Sequence, residues 1–297
     1  MRGVDLPGGG RVAAIGQGSY HMGQDARSRR REVAALRLGI SLGMTLIDTA
    51  EFYSGGRAEA IVGEAVADCR DQVFLVDKVW PSHAGYAEAM AAVRGALGRL
   101  RTHHLDAVLL HWPTRSAPVS ETLRAFADLR REGLVRHFGV SNFHGAWLSA
   151  AEAGLPAGER VLFNEVRYSV ADRGIERATL PYARAHGQII LAYSPLGEGR
   201  MARHPRYAAL AQVAKRHGAS PEQAALAWVV AGGGVAAIPK AVSPAHVRAN
   251  AEAGDLTLDA EDVAAIDEAF RAAVGARLPA LPPYGAFFRL AKATAGR

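Results

Sequence analysis

One phrase repeats eight times along this chain: a short apolar run closing on a polar residue, a turn, then a segment whose apolar residues recur every three or four positions. The runs lie at 12–15, 45–47, 73–76, 107–110, 135–140, 161–163, 189–192 and 235–238. Such alternation implies parallel strands, because parallel neighbours must be joined by a connection that returns across the sheet, usually a helix. Met90, Val93, Leu97 and Leu100, and again Leu123, Phe126 and Leu129, draw the single apolar stripe that a crossover helix turns to the sheet. Eight strand–helix units in about 250 residues specify an α/β protein folded as a closed (β/α)8 TIM barrel. No Pro- or Ser-rich linker interrupts the series, so a single domain over 1–297 is expected, with a C-terminal tail from about 275.

The polar groups that close the later strands are Asp48, Lys78, His111, Ser141, Glu165, Tyr193 and Lys240. They recur roughly once per strand–helix unit until the last interval, which is long enough for an extra helix before strand eight. In a barrel these strand ends converge on one face, so residues far apart in sequence share one pocket.

Composition removes several alternatives. A hydrophobic content of 49% supplies a large core, and no stretch of about 18 apolar residues exists to span a membrane. The lone Cys69 has no disulfide partner, which fits a reducing, cytoplasmic setting. A net charge of +6 and a pI near 9.7 raise the question of nucleic acid. The arginines are nevertheless scattered, and the one dense run, Arg27 with Arg29, Arg30 and Arg31, opens a segment in which Val33, Leu36 and Ile40 have helical spacing; a solvated helix face is expected there. Positive charge is almost all arginine, with lysine only at 78, 215, 240 and 292, so Lys78 and Lys240 at strand ends call for a reason of their own.

Asp48, Tyr53, Lys78 and His111 supply one. A tyrosine near pKa 10 becomes a useful acid when an ammonium stabilises its phenolate. Asp48 can hold that ammonium charged, and a neutral His111 can donate to a substrate oxygen. Singly, Asp48 reads as a helix cap, Tyr53 as a rim aromatic and His111 as a core histidine; together they make a proton-donor site.

Here the motifs converge on a family. The segment GMTLIDTAEFY at 43–53, followed by GRAEAIVG at 56–63, resembles the aldo-keto reductase signature G-x-x-x-x-D-T-A-x-x-Y. VDKVW at 76–80, LLHWP at 109–113, GVSNF at 139–143, AYSPL at 192–196 and IPK at 238–240 match further blocks in the same order, and with RGIE at 173–176 they are most similar to a bacterial branch of methylglyoxal and related aldehyde reductases. The resemblance implies an NADPH-dependent oxidoreductase that reduces aldehydes and ketones; a monomer acting on a small-molecule carbonyl substrate, without nucleic-acid or membrane partners, is expected. It assigns Tyr53 as general acid, Asp48 and Lys78 as its tuning pair, and His111 as the carbonyl-orienting group. It places Gly18, Ser19, Ser141, Asn142, Glu165, Tyr193, Ser194, Leu196, Lys240, Ser243, His246 and Asn250 along the cofactor: Ser141 and Asn142 on the carboxamide, Tyr193 stacked on the nicotinamide, Ser194 and Leu196 by the pyrophosphate.

Two positions depart from the pattern. The block usually reading N-Q-V-x-Y is NEVRY at 164–168, so Glu165 replaces an amide; a carboxylate still accepts from the carboxamide NH2. After Lys240 the chain has Ala241, Ser243 and His246 where relatives commonly carry Ser, Thr or Ser, and Arg. NADPH is expected over NADH because the Lys240 ammonium has an ionic partner only in the 2′-phosphate, with NADH possible. GEGRMA at 197–202 mimics a dinucleotide fingerprint, yet it follows strand seven, not strand one, and is read as a loop. Tyr20, Trp80 and Trp112 are expected to line an apolar substrate pocket, with PPYGAFF at 282–288 either joining them or packing outside the barrel. The competing readings are a non-catalytic NADPH-binding regulatory subunit of the same fold and a barrel enzyme using Lys78 as a Schiff-base nucleophile.

Overall fold

The computed structural model describes residues 1–155 and 157–271. A two-stranded antiparallel hairpin, β1 (Gly3–Asp5) and β2 (Arg11–Ala13), precedes an eight-stranded parallel sheet. Its strands are β3 (Gln17–Gly18), β4 (Leu46–Asp48), β5 (Phe74–Val79), β6 (Leu105–Leu110), β7 (Val135–Ser141), β8 (Phe163–Arg167), β9 (Ile189–Tyr193) and β10 (Val235–Ala237), each paired with its neighbours in chain order. The last strand returns to the first: Ala237 O accepts from Gly16 N at 2.8 Å, Ala237 N donates to Ala14 O at 2.8 Å, and Gly18 N donates to Pro239 O at 3.1 Å. The sheet therefore closes into a barrel.

Around it run α1 (Arg29–Ser41), α2 (Arg57–Val66), α3 (Tyr86–Leu100), α4 (Val119–Arg131), α5 (Ala146–Ala153), α6 (Thr179–Ala185), α7 (Tyr207–Arg216), α8 (Pro221–Ala231), α9 (Pro244–Ala253) and α10 (Ala260–Phe270). Their starts follow local chemistry. Ser220 accepts from Gln223 N, Gln223 returns a bond to Ser220 N, and Pro221 needs no amide partner at the first helical position. Asp259 and Asp262 make the same reciprocal cap on α10. In α1 the arginines at 29–31 face solvent while Val33 and Leu36 are buried, as the helical spacing requires. The long interval before strand eight holds two helices, α7 and α8.

The strand period positions the site. Side chains two apart share a face, so Leu46 and Asp48, Phe74, Val76 and Lys78, Ala107 and Leu109, Gly139 and Ser141, and Phe163 and Glu165 point into the barrel. Ile47, Leu75, Val79, Val108 and Leu110 pack outward with helix residues such as Val93, Leu97 and Phe126. At the lower end Phe74, His137 and Phe163 plug the interior with ring centroids 5.6–6.3 Å apart. Above this plug a Cβ on Gly139 would come within 2.1 Å of Phe163 O, so only glycine lets β7 and β8 approach there.

Most strands overlap their runs with ends shifted by one to three residues, and two are displaced to the far end of theirs or beyond it. The run at 12–15 forms chiefly the hairpin strand β2, and the barrel strand lies just beyond it at Gln17 and Gly18, with Ile15 bridging to Ala237. The Gln17 amide is buried because it donates to Leu36 O at 3.2 Å and Met44 O at 3.0 Å, so a polar residue does a strand's work. Likewise β8 begins at Phe163, where the run at 161–163 ends. The segment 282–288 lies outside the described residues. Among the described residues no helix is long and apolar enough to cross a membrane.

Candidate active site

Lys78 is the centre of the polar end of the barrel. Its side chain has no exposure at all, and its ammonium donates to Asp48 Oδ1 at 2.5 Å, to Thr49 O at 2.9 Å and to Tyr53 Oη at 3.1 Å. Those three bonds use its three hydrogens. Glu165 Oε2 nevertheless stands 3.3 Å from the same nitrogen, ion-paired to it but accepting no hydrogen bond among the described residues. Barrel closure makes this possible: the adjacent strands β4 and β5 supply Asp48 and Lys78, and β8, with β6 and β7 between it and β5, supplies Glu165 across the interior, all from the inward face. Tyr53 arrives from a short helical turn after β4 in which Ser54 and Gly55 have positive φ. Ser54 Oγ anchors that turn by donating to Met22 O at 2.6 Å.

A buried ammonium is costly unless paired. Burial alone lowers the Lys78 pKa, but Asp48 and Glu165 overcome it and hold the lysine well above its ordinary value. Burial raises the two acids. Asp48 is pulled back by Lys78 and by its contact with Glu165, while Glu165 is pushed further up by the Asp48 charge and ends well above the carboxylate range. Of the two acids, Glu165 is therefore the one more readily protonated. Burial also lifts the Tyr53 phenol well above 10, so it is fully protonated, and Lys78 opposes that shift. Because the lysine donates to the phenol oxygen, the phenol hydrogen remains free to be given elsewhere.

His111 follows β6, with its ring centroid 5.6 Å from Tyr53 and 5.2 Å from Trp80. Burial and then the Lys78 charge drive its pKa well below 6.5, so the imidazole is neutral. Tyr20 packs edge-on to Tyr53 at 5.1 Å and is half exposed, while Trp80 and Trp112 are partly buried. Two residues beside this rim escaped the sequence reading. Phe52 stacks on Trp80 at 4.0 Å, and Glu51 fixes the strand exit by accepting from Trp80 N at 2.6 Å and facing His83 Nδ1 at 2.9 Å. Both occupy the variable positions of the D-T-A-x-x-Y block, where only the aromatic character of Phe52 offered a signal.

Next to the cluster lies a preformed amide network. Ser141 Oγ donates to Glu165 O at 3.0 Å, and Asn142 Nδ2 donates to Ser141 Oγ at 3.0 Å and His111 O at 3.2 Å. Tyr193 Oη donates to Asn142 Oδ1 at 2.9 Å, which sets the plane of the Tyr193 ring. Asn142 and Ser194 both have positive φ, so the chain turns sharply at these strand ends. Gly197–Gly199 forms a helical turn after Leu196, as a loop following β9, and Glu198 pairs with Arg167 at 2.7 Å. Ser19 Oγ is buried and has no hydrogen-bond partner among the described residues; it lies beside Gly18, whose position is against Ile238 O and Lys240. Lys240 and Ser243, which precede α9, and His246 in its first turn are exposed, and Asn250 farther along the helix is buried. Ser243 makes no capping bond with its hydroxyl. At the polar end, Glu165 Oε2 and Ser19 Oγ thus make no hydrogen bond among the described residues, while Ser141, Asn142 and Tyr193 are already bonded to one another.

Replacing Lys78 with Met leaves Asp48 and Glu165 buried without a cation. Lys78→Met should destabilise the protein by about 3–5 kcal/mol at alkaline pH. In the variant both acids have raised folded-state pKa values, so stability is present at low pH and lost as pH rises through them. Urea unfolding near pH 5 and near pH 8 checks this; an equal penalty at both would contradict the paired-acid description.

The described fold and site can be set beside known proteins. The aldo/keto reductase family model matches residues 14–271. Methylglyoxal reductase YeaE of Escherichia coli K12 is 42% identical over 274 residues, covering 92% of this chain and 96% of that protein. Methylglyoxal reductase DkgB of Salmonella typhi is 30% identical, covering 86% and 93%. The crystal structure of an aldo/keto reductase from Klebsiella pneumoniae in complex with NADP and acetate superposes with a TM-score of 0.85 at 41% identity, covering 90% of this chain and 95% of that one. The chain belongs to the aldo/keto reductase family.

Proposed function

We propose that this chain is an NADPH-dependent reductase of small aldehydes, with Tyr53 as the proton donor. As a family member it is an oxidoreductase. The observation that carries the finer reading is the bond from Lys78 to the Tyr53 oxygen at 3.1 Å inside a fully buried cluster. The cofactor is NADPH, bound with its nicotinamide at Ser141, Asn142, Glu165 and Tyr193 and its 2′-phosphate at Lys240 and Ser243. Two relatives of known structure support that choice, one in complex with NADP and one with NADPH. The residues fit such a group: Ser19 Oγ and Glu165 Oε2 are buried polar atoms without hydrogen-bond partners among the described residues, and the Ser243 hydroxyl makes no capping bond.

NADPH supplies the hydride. The protein's part is to hold the carbonyl and deliver a proton. The neutral His111 donates a hydrogen bond that orients the carbonyl oxygen, and Tyr53 gives its free phenol hydrogen to the same atom. A phenolate then forms beside an ammonium that was already charged. A unit charge pair at about 3 Å is worth ~5 kcal/mol at an effective dielectric near 20, and this attraction exists only after the proton has left. That differential is the size of effect general acid catalysis requires. Asp48 keeps Lys78 charged throughout. The same commitment of all three ammonium hydrogens argues against Lys78 as a Schiff-base nucleophile, which must be unprotonated. A non-catalytic cofactor-binding subunit draws no support from a site in which Asp48, Tyr53, Lys78 and His111 are assembled.

Substrates enter past Tyr20, Phe52, Trp80 and Trp112, an aromatic rim suited to compact aldehydes. The names of the relatives make 2-oxoaldehydes of the methylglyoxal kind the first to test. The setting we propose is a cytoplasmic monomer, one domain with a C-terminal tail, acting on diffusible carbonyl compounds and not on nucleic acid.

Tyr53→Phe removes only the hydroxyl. It should lower kcat for aldehyde reduction by about 10²- to 10⁴-fold or more and change NADPH affinity by less than about threefold. Steady-state absorbance assays and fluorescence quenching separate the two; near-normal kcat on several aldehydes would sink the assignment. Lys240→Met should weaken NADPH by about 1.5–3 kcal/mol and leave NADH nearly unchanged. Titrations of both cofactors decide it, and equal losses would place the 2′-phosphate elsewhere.

A further inference from the structure

Glu165 sits where an amide would serve for hydrogen bonding alone, yet it joins the charged cluster. The groups that face it are Asp48 from β4, Tyr53 from the turn beyond β4, Lys78 from β5 and Tyr193 from β9; Ser141 on β7 is uncharged. His111 beyond β6 is kept neutral. Arg167, on the same strand, is drawn away to Glu198 and Asp172. Among the described residues Lys78 is thus the only cation at Glu165, and its hydrogens go to other acceptors. With a proton on Glu165 the Asp48–Lys78–Glu165 cluster is neutral; without it the cluster carries an unmatched negative charge in a buried place.

We propose that Glu165 makes the site discriminate between oxidised and reduced nicotinamide according to pH. The inference rests on the nicotinamide placement above. An oxidised nicotinamide ring is positively charged and a reduced one is neutral. The carboxyl of Glu165 lies one strand from Ser141 and Asn142 and one from Tyr193, the groups taken to frame that ring. Protonated, it offers a donor and an acceptor, as an amide does, and serves both forms alike. Ionised, it favours only the positive ring. Binding of the oxidised form therefore favours loss of the proton from Glu165, whereas binding of the reduced form does not. In the reductive direction the protonated state spares the enzyme from over-tight retention of oxidised product; in alkaline solution the preference turns toward the oxidised form. A glutamine would hold the carboxamide but could not titrate, so Glu165 is a positioning residue with a second, proton-linked task.

The test measures dissociation constants of NADP+ and NADPH by fluorescence quenching from about pH 6 to about pH 9.5. Taking their ratio cancels titration of the 2′-phosphate, which both nucleotides share. In the wild-type protein the NADP+ to NADPH ratio of dissociation constants should fall by roughly tenfold or more as pH rises. In Glu165→Gln, which should bind both nucleotides, it should stay constant within about twofold. A flat wild-type ratio, or an equal slope in the variant, would overturn the inference. Calorimetry of the wild-type protein in two buffers of different ionisation enthalpy needs no variant: NADP+ binding should release more protons than NADPH binding, and equal release would overturn it too. Binding of neither nucleotide at any pH would overturn the cofactor reading along with this inference, whereas binding with a pH-independent ratio would overturn the inference alone.

Discussion

Everything at the functional end of this barrel follows from one buried ammonium. Lys78 cannot be charged without exposure to water unless acids surround it, and it cannot be surrounded by acids unless strands β4, β5 and β8 bring them to one level of a closed barrel. Closure in turn needs the hydrogen bonds between Gly16 and Ala237 and the close approach that Gly139 permits. Fold and chemistry are coupled here through electrostatics: the barrel supplies a place dry enough to strengthen the lysine's field, and the lysine makes that place tolerable only in one arrangement.

The same strand shows how direction decides the fate of a buried charge. Asp77, next to Lys78, points outward and lies near Glu59, which is held by Arg99 through two hydrogen bonds at 2.6 and 2.9 Å. Burial and then the Glu59 charge push Asp77 well above the carboxylate range. That pair lies between the strand and its helices, away from the polar end of the barrel interior, and ties the wall together. One residue of register separates a structural acid, Asp77, from the buried ammonium of Lys78 beside Tyr53.

How much of this was legible follows the physics of each signal. Barrel topology was, because period-two strands and helical stripes are written in local sequence. The strand at Gln17 and Gly18 was not, since its buried polar side chain is satisfied by backbone carbonyls of a distant helix and loop and so looks like a turn. The tetrad Asp48, Tyr53, Lys78 and His111 was readable from motif blocks. Phe52 and Glu51 were hidden in variable positions of one of them. Glu165 stood out as a departure from an amide, but its 3.3 Å approach to Lys78 depends on strand register across the barrel, which no local pattern encodes.

The central claim is that Tyr53, held beside Lys78, moves a proton in the step that reduces the carbonyl. The most direct measurement is a single turnover of a good aldehyde by enzyme preloaded with NADPH, followed by stopped flow in H2O and in D2O. The account predicts a chemical step that is slower in D2O, with the isotope effect disappearing or the step collapsing in rate once the Tyr53 hydroxyl is removed. A chemical step that is indifferent both to D2O and to loss of that hydroxyl would contradict it.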